Sequence, residues 1–436
     1  MISKSELLSR RQALVAQLPA NSVVILPSAQ EVTRSNDTEY LFRQNSYFWY
    51  FTGFAEPDAC LVLSNLEGEF QDFVFCRDSD RQAEIWQGRR LGVEQAAQTL
   101  GIAESYDISD LPEALLSLLD GSEQLYFSLG DDAEMEQMVL STVEALRKAP
   151  KQSKKAPVAI IEPKPLMDEM RLFKSEAELE VMRKAAAISV SAHKRAMAFC
   201  TPGVMEYQLE AEIHHEFAMQ GARQPAYNTI VGAGDNACIL HYTENSDVIE
   251  DGELVLIDAG AELQGYAADI TRTFPGSGRF SEEQELLYNI VLAAQEIAFK
   301  HIKPGNSLKA AADAAIEVIT SGLVELGLLT GEVLENIAEQ KHRQFYMHGL
   351  GHWLGLDVHD VGDYKRNGED RAFEPGMVLT VEPGIYVAPD ADVDARWRGI
   401  GIRIEDNILV TETGFENLTQ GLPRTVDEIE QFMARS

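Results

Sequence analysis

Apolar residues recur along this chain with two periods: close together in short runs, and every third or fourth position in longer ones. In the first part SVVILP, CLVLSN and DFVFC are short apolar runs that predict strands. VEQAAQTLG, AEMEQMVLSTVEALRKA and the N-terminal MISKSELLSRRQALVAQLP have the spacing of amphipathic helices. Periodicity fades around residues 146–165, RKAPKQSKKAPVAIIEPKP, where lysine and proline dominate, and this stretch predicts the connection between two domains. A chain of 436 residues is also too long for one ordinary core. The expected division is a first domain at 1–172 and a second at 173–436.

The second part opens with a helix start. Ser175 followed by Glu178 is a capping box ahead of the amphipathic run ELEVMRKAAAISVSAHKRAMAF. A second helix follows in EYQLEAEIHHEFAMQG, then a strand-rich stretch from YNTIVGAG to ITRTF. Ser281 with Gln284 caps EEQELLYNIVLAAQEIAFKHI, Pro304-Gly305 stops it, and further helices run to about residue 340. MVLTVEPGIYV and GIGIRIEDNILVT return to strand. Helices, strands, helices, strands in that order predict an α+β fold rather than a doubly wound sheet, preceded by a smaller mixed α/β domain.

The strands contain a repeat. Gly252-Glu-Leu-Val-Leu-Ile-Asp258-Ala-Gly260 aligns without gaps on Gly376-Met-Val-Leu-Thr-Val-Glu382-Pro-Gly384. Each is an apolar strand ending in an acid, and each precedes a second strand with another acid: Asp269 in AADITRTF, Glu405 in IRIEDNILV. This predicts a pseudo-symmetric core with acids at corresponding places. A turn at about Glu262-Leu263-Gln264-Gly265 makes Asp258 and Asp269 equidistant from its midpoint. In a regular hairpin they are then direct partners with Cβ atoms roughly 5 Å apart, whereas a bulge would turn them to opposite faces. Two ionised carboxylates so close and partly buried need a shared proton or a cation. Four such acids, with Arg272 and Arg403 the local cations, are balanced by two divalent ions.

Composition narrows the alternatives. Forty-five per cent hydrophobic and 25% charged residues describe a soluble globular protein. No apolar run reaches bilayer length and the N-terminus has no cleavage site after a clean apolar stretch, so no membrane association and a cytoplasmic location are expected. Cys60, Cys76, Cys200 and Cys238 form no CxxC pair and read as reduced structural thiols. A net charge of -33 repels a phosphate backbone and argues against nucleic acid as partner. Most of the acids solvate the surface, and their excess also fits adaptation to salt; acids inside apolar strands are the exception that asks for a partner.

Three of the nine histidines, His348, His352 and His359, fall within FYMHGLGHWLGLDVHDVG, among glycines that permit close backbone approach. One neutral imidazole beside four carboxylates makes an oxygen-rich site suited to Mn²⁺, with Co²⁺ or Zn²⁺ as substitutes. Two other motifs are decoys. His214-His215-Glu216 hints at the HExxH zinc helix, but the second ligand position after His215 is Met219. Gly232-x-Gly234-x-x-Ala237 approaches a dinucleotide fingerprint, yet CILHYTEN follows rather than a long helix.

Taken together, YNTIVGAGDNACILHYTEN, VLIDAGAELQGYAADITRTF, MHGLGHWLGLDVHDVG, MVLTVEPGIY and GIGIRIEDNILVTETG resemble the "pita-bread" metallopeptidases. EVTRSNDTEYLFRQNSYFWYFTGFAEPDA and AEIWQGRR resemble the first domain of the bacterial aminopeptidase P group within them, so the likeness covers essentially the whole chain. The resemblance implies a pita-bread catalytic domain and two cations. Asp258 would be terminal on one ion, Asp269 and Glu405 would bridge both, and His352 and Glu382 would complete the other. In that family a bridging water or hydroxide attacks the scissile carbonyl, with Glu382 as general base and proton shuttle. His241 and His359 fall where such enzymes hold substrate and stabilise the tetrahedral intermediate. His348 lines the proline side, and Arg403 orients neighbouring carboxylates. Asp37 matches a residue near the substrate's free amino end, Tyr227 one near the metals, and Trp86 one that approaches a neighbouring subunit's site.

The implied reaction is release of the N-terminal residue from peptides with proline second, by a homotetramer or homodimer. A metal-free creatinase is disfavoured by the five intact ligand types, and methionine aminopeptidase by the large first domain. The alternatives are a prolidase restricted to Xaa-Pro dipeptides, and a catalytically silent homologue that only binds peptides.

Overall fold

The computed structural model describes residues 2–435, in two compact units, Met1–Met170 and Arg171–Ser436. The first unit is built on a mixed six-stranded sheet in the order Glu104–Asp107, Gln71–Cys76, Cys60–Ser64, Ser22–Pro27, Gln124–Tyr126, Ala159–Ile161. The three apolar runs read from sequence are its central strands, and the helices Lys4–Val15, Val93–Leu100 and Ala133–Arg147 fall where periodicity placed them. The expected connection at 146–165 is corrected. Ala159–Ile161 pairs in parallel with Gln124–Tyr126 as an edge strand, and the helix Lys164–Leu172 carries the division between the units. Short edge strands flanked by lysine and proline read as linker because those residues protect an edge from further pairing.

In the second unit the helices Glu176–Phe199 and Glu282–His301 both begin with the expected capping boxes. Each leads a helix pair, completed by Glu206–Met219 and Leu308–Glu325, and each pair precedes a set of strands. One three-stranded sheet runs Ile230–Ala233, Leu254–Asp258, Thr271–Pro275; the other runs Val378–Val381, Asp406–Val410, Phe415–Asn417. Helix pair plus sheet, twice over, is the pseudo-symmetric α+β arrangement expected from the repeat, and one contiguous apolar core joins the halves.

The register, however, differs from the expected one. Asp258 pairs with Thr271, not Asp269, because the turn is centred on Gln264-Gly265. Both of those residues have positive φ, 52° and 84°, as a two-residue type I′ hairpin turn requires. The same register continues through Ala259 N–H to the Ile270 carbonyl and Ala268 N–H to the Ala261 carbonyl, which puts Asp269 opposite Gly260. Asp258 and Asp269 therefore share a face as diagonal rather than direct neighbours. In the second half Gly384 pairs with Arg403 and Val381 with Asp406 in one register, so Glu382 stands opposite Glu405. The acids correspond only in part: Asp258 matches Glu382, but Asp269 takes the place of Arg403 and Thr271 the place of Glu405.

Candidate metal centre

The last strand positions of the two halves aim their acids at one another, and a third segment brings the imidazole. Residues 350–354 run beside Val378–Val381: Glu382 N–H bonds the Leu350 carbonyl, Thr380 N–H that of His352, and Leu354 N–H that of Val378. This approach depends on Gly351, where a Cβ would lie 2.0 Å from the Thr380 carbonyl oxygen. His352 is thereby set beside Thr380, whose Oγ1 accepts its N–H at 3.0 Å.

Asp269, His352 and Glu405 each offer a ligand atom within 4.8 Å of the others. His352 Nε2 lies 3.4 Å from Asp269 Oδ2 and 3.6 Å from Glu382 Oε1. Asp258 joins the group through the Tyr227 hydroxyl, 2.5 Å from both Asp258 Oδ1 and Asp269 Oδ1. Arg403 Nη2 donates to Asp258 Oδ2 at 2.6 Å, and Thr271 Oγ1 donates to Glu405 Oε2 at 2.7 Å. All five residues expected as ligands thus meet in one place.

Burial raises the carboxyls of Asp269 and Glu405 and lifts that of Glu382 to about 8; repulsion among the acids adds to it. Burial alone would lower the His352 imidazole, but its hydrogen bond to Asp269 and the charges of Asp269 and Glu382 hold it at about 9. Acids packed this closely call for protons or cations to balance them. Its donors fit divalent ions: four carboxylates and one imidazole whose Nδ1–H is committed to the Trp353 carbonyl at 2.9 Å. That bond leaves Nε2 as the nitrogen facing the acids, the one that would bind a cation once its proton is displaced.

The cluster floors a cleft of about 530 Å³ lined by the second unit. His241 and His359 are exposed at the cleft, and the His359 ring meets that of His352 edge-on, 4.3 Å between centroids. Partial desolvation within the cleft, then the neighbouring His352, lowers the His359 imidazole. His348 has both nitrogens engaged, Nδ1 with the Gly349 carbonyl and Nε2 with the Tyr386 hydroxyl, each at 2.8 Å. Burial and then Arg403 lower it to about 4, so it is a neutral wall. Asp37 and Trp86 belong to the first unit, Asp37 in the turn between Thr33–Ser35 and Thr38–Glu39, Trp86 on the helix Arg81–Gln87; both are solvent-exposed.

Sequence reasoning missed Thr271, Thr380 and Tyr386. The hydroxyls of Thr271 and Thr380 bond Glu405 and Glu382, and Tyr386 accepts from Arg403 Nη1 at 2.9 Å. Thr271 and Thr380 each lie two residues from a ligand, and Tyr386 four, in extended chain, which is the signal that was available. Of the decoys, His214 bonds the Thr229 hydroxyl and Met219 is exposed, while Ile230–Ala233 leads into the short turn Gly234–Cys238 rather than a long helix.

Residues 180–412 match the model of metallopeptidase family M24, and residues 8–126 that of the aminopeptidase P N-terminal domain. The Xaa-Pro aminopeptidase of Escherichia coli K12 is 52% identical, over 99% of this chain and 98% of its own length. A zinc-substituted E. coli aminopeptidase P in complex with product superposes with a TM-score of 0.98 at 51% identity, over 100% of this chain and 99% of that one. Proline aminopeptidase P II from Yersinia pestis gives 0.97 at 50% identity, with both chains fully covered. The chain belongs to metallopeptidase family M24, with the N-terminal domain of aminopeptidase P ahead of a pita-bread catalytic domain.

Proposed function

We propose that this chain is a metal-dependent Xaa-Pro aminopeptidase, releasing the N-terminal residue from peptides whose second residue is proline. The observation that carries the chemistry is the convergence of Asp258, Asp269, His352, Glu382 and Glu405, with His352 Nε2 facing the acids. Full-length similarity to Xaa-Pro aminopeptidases, first domain included, supports the specificity.

In this reading Asp258, Asp269, His352, Glu382 and Glu405 would together hold two divalent cations. Manganese suits so many oxygens, with cobalt or zinc as substitutes. Two divalent ions held there supply Lewis acidity toward the scissile carbonyl and acidify a water molecule. Glu382, held by Thr380 Oγ1 at 3.4 Å, takes the proton of the attacking water and delivers it to the departing nitrogen. His241 and His359 donate hydrogen bonds to the substrate carbonyls, and Arg403 orients Asp258 through the 2.6 Å contact of Nη2 with Oδ2. Proline's tertiary amide has no N–H to offer, and the neutral His348, its nitrogens already used, asks for none.

Tyr227 borders the cations, and Asp37 meets the free amino group. Trp86 reaches the site of another copy in a homotetramer or homodimer, in which the first domain, 1–172, assembles the oligomer and 173–436 is catalytic. Four free thiols, three of them buried, support a cytoplasmic location. No helix among the described residues is long and apolar enough to cross a membrane.

The test is hydrolysis of Xaa-Pro peptides of increasing length by manganese-loaded protein, with products identified by mass spectrometry. Release of the first residue from tripeptides and longer substrates is expected; cleavage of dipeptides alone would make the protein a prolidase. Metal-replete Glu382→Ala is expected to lose nearly all turnover, and unchanged turnover would overturn the role of Glu382.

A further inference from the structure

The hairpin of the first half and the returning strands of the second lie side by side, joined residue to residue. Thr271 stands against Glu405: the Glu405 N–H bonds the Thr271 carbonyl at 3.0 Å, and Thr271 Oγ1 donates to Glu405 Oε2. Two residues along in one direction, Asn407 meets Asp269. Its Oδ1 accepts the Asp269 N–H at 3.1 Å and its Nδ2 donates to the Asp269 carbonyl. Two residues along in the other direction, Thr273 meets Arg403. Its Oγ1 accepts the Arg403 N–H at 3.1 Å and donates to the Arg403 carbonyl at 3.0 Å.

The two contacts are one device used twice. In the register of the two halves, Thr273 takes the place of Asn407 as Asp269 takes the place of Arg403. The pseudo-two-fold axis therefore passes between Thr271 and Glu405 and exchanges the Asn407–Asp269 clasp with the Thr273–Arg403 clasp. In each, a side chain from one half binds both the N–H and the C=O of the other half's residue. All six residues are buried, at most 5% exposed. Two-point attachment to a backbone fixes its rotation as well as its position, which is what decides where the attached side chain points.

We propose that Asn407 and Thr273 are positioning residues, a pseudo-symmetric pair of clasps that set Asp269 and Arg403 across the interface of the two halves. The inference rests on the metallopeptidase reading above, in which Asp269 is a cation ligand and Arg403 is not. The two clasps should then differ in what they control. Asn407 holds a ligand directly and mainly governs cation binding; Thr273 reaches the ligand Asp258 only through Arg403, whose Nη1 also bonds the Tyr386 hydroxyl beside His348, and mainly governs turnover.

Isothermal titration of Mn²⁺ into metal-stripped full-length protein, with steady-state kinetics on an Xaa-Pro tripeptide, separates these effects. Asn407→Leu, similar in size but without donor or acceptor, is expected to weaken Mn²⁺ binding about tenfold or more. Thr273→Val is expected to lower kcat about tenfold with KM little changed and a much smaller loss of Mn²⁺ affinity, and Thr273→Ser to recover kcat to within about twofold. Equal losses of affinity in both variants, or wild-type affinity in Asn407→Leu, would reduce the clasps to ordinary packing ties and overturn the proposal. So would wild-type kcat in Thr273→Val. If Asn407→Leu does not fold, Asn407→Asp, which keeps the acceptor but loses the donor, carries the same expectation. Asp269→Ala separates the two levels: wild-type Mn²⁺ affinity there refutes the metal site itself, whereas lost binding there with intact binding in Asn407→Leu refutes only the clasp.

Discussion

Glu382 and His352 hold protons that a cation has to displace. The Glu382 carboxyl is lifted by burial from 4.5 to about 8, and the His352 imidazole rises from 6.5 to about 9 against its own burial because of Asp269 and Glu382. Both bind protons more tightly in the folded chain than in the unfolded one. For Glu382 the native state is penalised progressively as pH rises from 4.5 towards 8. For His352 the stabilisation is complete below 6.5 and gone above 9. The metal-free protein should therefore lose stability as pH rises through this window. Divalent ions replace those protons, so the gain in Tm on adding Mn²⁺ should grow from pH 6 to pH 9, and binding should release protons to the buffer. Scanning calorimetry with and without Mn²⁺ measures the first and titration in buffers of different ionisation enthalpy the second; a gain independent of pH would contradict the assignment.

At the scale of elements, two glycines allow the site to close. A Cβ on Gly260 would sit 1.7 Å from the Ala268 carbonyl oxygen, and one on Gly351 would sit 2.0 Å from that of Thr380. Neither neighbour is a side-chain tip that can swing away, so each strand would have to move. Gly260→Ala is expected to cost about 1–3 kcal/mol in urea unfolding and to weaken Mn²⁺ binding with it, because Asp258 and Asp269 flank that contact. Gly414→Ala, with nothing within 4 Å of the added Cβ, should change neither. The same hairpin shows how far local reading goes. The repeat, the strand ends and the hairpin are legible from residue order, and the capping boxes at Ser175 and Ser281 are local enough to be certain of their helices. The turn centre is not, because Gln264 rather than Leu263 adopts positive φ beside Gly265, and one position of turn shifts the pairing by two. The shift leaves the acids on one face, so the site survived the error.

On the scale of the whole second unit, the halves are tied by a buried ion pair behind the acids. Arg272 Nη2 meets Asp406 Oδ1 at 2.7 Å with side-chain exposures of 1% and 0%, while Arg272 Nη1 also bonds the carbonyls of Thr271 and Glu405. Gln295 Nε2 donates to the other Asp406 oxygen at 2.9 Å. Arg272→Met leaves Asp406 as an uncompensated buried charge and should destabilise the protein by about 3–5 kcal/mol. Equilibrium denaturation of metal-free protein measures it, and a loss under about 1 kcal/mol would show that the halves do not rely on this pair.

By itself the sequence determined the helices and their caps, the apolar strands, the repeat, and four acids that ask for cations, while the choice of His352 among three clustered histidines came from the family resemblance. The former follow from local propensity, from periodicity, and from the rule that acids in apolar strands need partners. Only the tertiary structure decided which acid faces which. It put Glu382 opposite Glu405, set Asp269 on the diagonal from Asp258, and gave Asn407 and Thr273 their backbone partners more than a hundred residues away. Register and cross-half hydrogen bonding are properties of two strands meeting, and residue order along either strand does not contain them.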